Sequence, residues 1–80
     1  MPTVLRVDGY RFFFFSNEGN EPPHIHIQSA EKYAKFWLQP QQLAANSGYT
    51  SREITRIGEL IEQHQSQLLE AWHEFFKSGN

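Results

Sequence analysis

At Thr50 the chain changes its hydrophobic period, and that switch limits the folds open to it. Before it, apolar and polar residues alternate in short runs, the period of a strand buried on one face. After it, Ile54, Ile57, Ile61, Leu68, Trp72 and Phe75 recur at helical spacing, with His64 filling the gap in the series. Thr50-Ser51-Arg52-Glu53 marks the boundary as a capping box, in which Thr50 bonds the N3 amide and Glu53 reaches back. The expected fold is α+β: a four-stranded, mostly antiparallel sheet followed by one long C-terminal amphipathic helix from Ser51 to Lys77, lying on the sheet's apolar face. Gln41 to Gly48 reads as a short fifth strand or a turn.

That helix would be about 40 Å long, whereas a domain of this size has a radius of gyration near 12 Å. Either it bends, near Gly58 or in the polar Gln63 to Gln67 stretch, or its end projects. A projecting end would carry Leu68, Trp72, Phe75 and Phe76 into water and call for a second chain, a homodimer mate or another partner, to cover them.

Eighty residues make one domain, 1–80, with a single core built on seven Phe, three Tyr and two Trp. The chain has no cysteine, no apolar run of membrane-spanning length and no signal pattern at Met1 to Arg6, so a cytoplasmic protein without membrane contact is expected. A net charge of −2 argues against a strongly electrostatic nucleic-acid binder. The acid excess lies after residue 50, however, which leaves room for a basic patch on the strand half.

Asp8-Gly9 between Val4–Val7 and Tyr10–Phe15 is a hairpin turn signal. It sets Val7 opposite Tyr10, Arg6 opposite Arg11, Leu5 opposite Phe12 and Val4 opposite Phe13. Arg6 and Arg11 repel at that spacing; they either splay into water or await an anion such as phosphate. The loop from Ser16 to Pro23 is longer than most hairpin connections, which mildly favours a functional role. Next come strands His24–Gln28 and Tyr33–Leu38. Keeping Lys35 out of the core puts Ile25 and Ile27 with Ala34, Phe36 and Leu38, so that His24 faces Trp37, His26 faces Lys35 and Gln28 faces Tyr33. The outer sheet face then gathers two imidazoles, an ammonium and two flat rings. His64 reads as a partly buried histidine and His73 as a surface one.

The run Tyr10-Arg11-Phe12-Phe13-Phe14, Ser16, Glu18, Glu21-Pro22-Pro23-His24-Ile25-His26-Ile27, Ala34-Lys35-Phe36-Trp37-Leu38 and Glu70-Ala71-Trp72-His73-Glu74-Phe75-Phe76 resembles the small bacterial domain-of-unknown-function family 4160 over nearly the full length. The resemblance implies one half of a two-gene module similar to type II toxin–antitoxin pairs, with a small partner protein encoded by a neighbouring gene. It implies no particular reaction. Gln39 precedes Pro40 where relatives often have Asp, so no acid/base carboxylate is expected at that strand end.

Three functions fit these residues. The first is a toxin-like RNA-binding or RNA-cleaving protein, a metal-independent ribonuclease in its catalytic form. His24 and His26 would be acid and base, Lys35, Arg6 and Arg11 would hold phosphate, and Tyr33 and Trp37 would stack on bases. It requires the first hairpin to present Arg6 and Arg11 on the histidine face. The second is a non-catalytic module that docks a partner protein through the aromatic sheet face or the helix end. The third, a metal site on His24 and His26, lacks ligands, because two imidazoles are too few for zinc. A third ligand would have to come from Glu18, Glu21, His64 or His73, and neither metal nor cofactor is expected.

Overall fold

Asp8 and Gly9 take φ of 53° and 83°, the left-handed pair that a two-residue hairpin turn needs. The computed structural model, which describes residues 3–76, accordingly begins with strands β1 (Thr3–Val7) and β2 (Tyr10–Phe13). Three of the four expected pairs form. The fourth does not, because a bulge at Val4 puts Thr3 opposite Phe13.

Strands β3 (His24–Ser29), β4 (Lys32–Leu38) and β5 (Gln41–Ser47) complete an antiparallel five-stranded sheet in the order β1-β2-β3-β4-β5. The β3–β4 register is the one that parity demands, with His24 opposite Trp37, His26 opposite Lys35 and Gln28 opposite Tyr33. The four-strand expectation is corrected to five. β5 is exposed along its whole length, and a strand buried on neither face has no reason to alternate. That is why Gln41 to Ser47 carries so faint a strand pattern.

The single long helix is also corrected. Helix α1 (Ser51–Gln63) and helix α2 (Gln65–Phe76) are separated at His64, whose φ of −112° and ψ of 18° leave the helical region. Two groups hold the break. The His64 ring Nδ1 donates to the Leu60 carbonyl at 2.8 Å, and Gln65 Nε2 donates to the Leu38 carbonyl at the end of β4 at 2.7 Å. The expected helix end at Lys77 lies outside the described residues. The capping box forms as expected: Glu53 N–H donates to Thr50 Oγ1 at 3.1 Å and Thr50 N–H to Glu53 Oε1 at 2.9 Å.

Strands and both helices share one core among the described residues. Phe12, Phe14, Ile25, Ile27, Ala34, Phe36 and Leu38 of the strand half meet Ile57, Leu60, Ile61, Leu68, Trp72 and Phe76 of the helices. Leu68 and Trp72 are buried as expected, but the next buried position is Phe76, four residues on, rather than Phe75, which is 43% exposed. Burial of Leu68, Trp72 and Phe76 removes the ground for a homodimer through a projecting helix end. The Cα radius of gyration is 11.9 Å. No helix among the described residues is long and apolar enough to cross a membrane.

Candidate functional site

His24 and His26 share one face of β3, as their i, i+2 spacing requires, and their ring centroids lie 5.0 Å apart. Neither is a surface residue. His24 is fully buried and His26 is 3% exposed. Trp37 at 5.5 Å and Trp72 at 4.8 Å enclose the His24 ring, while Phe13 and Tyr33 stack on His26 at 5.4 and 5.7 Å. Trp72 comes to His24 from α2, beyond the helix break at His64.

The loop between β2 and β3 places a carboxylate against both rings. Glu18 Oε1 accepts the Phe15 N–H at 3.0 Å and the Glu18 carbonyl accepts the Glu21 N–H at 3.1 Å, which fixes the loop's path. His26 Nε2 then lies 2.9 Å from Glu18 Oε2 and 3.0 Å from Oε1. His24 Nε2 lies 3.0 Å from Oε1 but makes no hydrogen bond there, although it is buried.

The other ring nitrogens are tied. His24 Nδ1 is 3.0 Å from the Pro22 carbonyl, an acceptor only, so Nδ1 carries a proton. His26 Nδ1 is 2.7 Å from the Tyr33 hydroxyl. Burial, followed by the Glu18 and Glu21 charges, pushes the Tyr33 phenol above its ordinary value, so the hydroxyl keeps its proton. Burial likewise pushes His26 down, against the pull of Glu18. For Glu18 itself burial acts upward, but the Phe15 amide and the two imidazoles together hold the carboxyl below its ordinary range.

The cations expected around the histidines are on the same sheet face. Arg11 pairs with Gln28, and Phe13 with His26, so the first hairpin does present the Arg6/Arg11 row on the histidine side. Arg11 lies 4.2 Å over the Phe13 ring and reaches Gln28 Oε1 at 3.4 Å. Lys35 lies 4.5 Å over Trp37 and pairs with Glu21 at 3.1 Å. Arg6 is exposed opposite Arg11. Acid/base work by the two histidines would need access to rings that Phe13, Tyr33, Trp37 and Trp72 surround. Glu18 is the residue the acid/base and phosphate-clamp reading of the sequence left out. Its signal was its place in a loop longer than the hairpin needs.

Neither the curated proteins nor the solved structures contain a match to the chain. One family does match, described as Domain of unknown function (DUF4160), over residues 9–73.

Proposed function

The chain belongs to that family, whose description assigns no activity, and from the site we propose that it is an RNA-contacting component of a toxin–antitoxin-like gene pair, acting by binding rather than by cleavage. One observation carries this reading. The helices pack mainly against the Ile25/Ile27 face of the sheet, with Trp72 reaching His24 at one end, and the other face collects Arg6, Arg11 and Lys35 with Tyr33 and Trp37 in adjoining register positions. Single-stranded RNA is held by such a combination, with bases stacked on flat rings and phosphates on cations, and it needs no base-specific contact. Glu18 and Glu21 lower the local charge, so weak, salt-sensitive binding is expected.

Fluorescence anisotropy with a labelled random-sequence RNA oligonucleotide tests this. Trp37→Ala should weaken binding roughly 10-fold, since a stacked base contributes about 1–3 kcal/mol. Three phosphate contacts should give a slope of log K on log salt near −2. Absence of binding at low salt would refute the reading. In cells, expression of the chain alone should arrest growth, with relief by the neighbouring gene's product and by Trp37→Ala.

A second reading rests on β5. This edge strand is exposed throughout and carries Leu43 at 40% exposure, a form that invites strand addition by a partner protein. A complex with the neighbour's product that is lost in Leu43→Lys but kept in Trp37→Ala would select this reading.

A further inference from the structure

We propose that Glu18, His24 and His26 form a binding site for a divalent transition-metal cation of the zinc type, with both imidazoles ligating through Nε2. The three donors converge from a loop and one strand, and their ligand atoms all lie within 4.8 Å of one another. The Glu18 oxygens stand 2.9–3.0 Å from the two Nε2 atoms. Tetrahedral bonds of about 2.1 Å separate their donor atoms by roughly 3.4 Å, so the carboxylate and rings would part by about half an ångström to admit the ion.

The second, independent observation is His24. Its side chain is fully buried, its Nδ1–H is spent on the Pro22 carbonyl, and its Nε2 points into the cluster without a hydrogen bond. A buried polar nitrogen left so is costly unless something absent from the protein's own bonds meets it. In the neutral ring with its proton on Nδ1, Nε2 offers a lone pair, which beside a carboxylate is repulsive and beside a cation is a bond. The backing is also that of a metal centre. Ligating histidines commonly donate the other ring N–H to a carbonyl or similar acceptor, which fixes ring and tautomer; Pro22 serves His24 in this way and Tyr33 stands in the same position for His26.

Two imidazoles and one carboxylate suit zinc or ferrous iron and disfavour calcium or magnesium, which want oxygen. Three protein ligands leave a further position for water. The inference does not rest on RNA binding, which involves the Arg6, Arg11 and Trp37 surface and can fail separately.

The test is calorimetric titration of Zn2+ alone into the full chain after chelator treatment, with thermal melts alongside. Saturable 1:1 binding and a rise in Tm that EDTA reverses are expected. Glu18→Gln, which preserves side-chain shape, should weaken binding by at least about 10-fold while circular dichroism shows the fold intact. His24→Ala should do the same, and His73→Ala should leave binding unchanged. Absence of saturable binding below about 100 μM Zn2+, far weaker than protein zinc sites hold the ion, would overturn the proposal. So would Zn2+ binding that survives Glu18→Gln and His24→Ala together, or a Tm that Zn2+ does not move.

Discussion

Ala30 holds a φ of 52° in the β3–β4 turn, a left-handed conformation that costs a residue with a Cβ roughly 1–2 kcal/mol. Asparagine tolerates that region better. Ala30→Asn should therefore stabilise the protein by about 0.5–1 kcal/mol, measurable as a raised midpoint in urea with an unchanged slope. Tyr33 poses the opposite case. Its hydroxyl is the partner of His26 Nδ1, and Tyr33→Phe would leave a buried nitrogen unmet, at a cost of about 1–3 kcal/mol. At this scale the sequence was read well where parity ruled and poorly where distance ruled. Lys35 had to face away from the core, and His24, His26 and Trp37 followed it. Glu18 could not be chosen over Glu21 as a partner for the histidines, because a loop path depends on bonds such as Phe15 N–H to Glu18 that spacing does not encode.

Among the elements, α1 owes its start to a cap visible in four letters. Thr50→Ala should cost about 1 kcal/mol, read from chemical denaturation. The Thr50 amide and then the Lys32 ammonium hold the Glu53 carboxyl below its ordinary value. A depressed carboxyl contributes stability above its unfolded-state value and loses it as pH falls through the folded one. Stability should thus decline in acid, and Glu53→Gln should flatten that decline. The break between α1 and α2 was harder to see. Neither Pro nor Gly stands there; the sequence showed only a polar stretch, in which Gln65 turns out to anchor the break to β4. β5 was ambiguous for the reason that makes it exposed: a strand that buries nothing has no pattern to show.

For the whole molecule, Trp72 matters most because it belongs to the core and to the wall of the histidine site. Trp72→Ala should cost about 3–5 kcal/mol, a large share of the roughly 5–15 kcal/mol that holds a domain together. Since Trp72 is buried in its own fold, the loss should appear as a lowered Tm independent of protein concentration. Trp72 also bears on the order of folding. The β3–β4 hairpin can pair early, because its partners are close in sequence, but the surroundings of His24 draw on residues from both sides of it and from near the far end of the chain. Contacts of such separation form late, after the loop-closure entropy has been spent. The histidine pocket is therefore complete only when the last helix has docked, and any ligand that needs it will bind finished molecules and pass over those still folding.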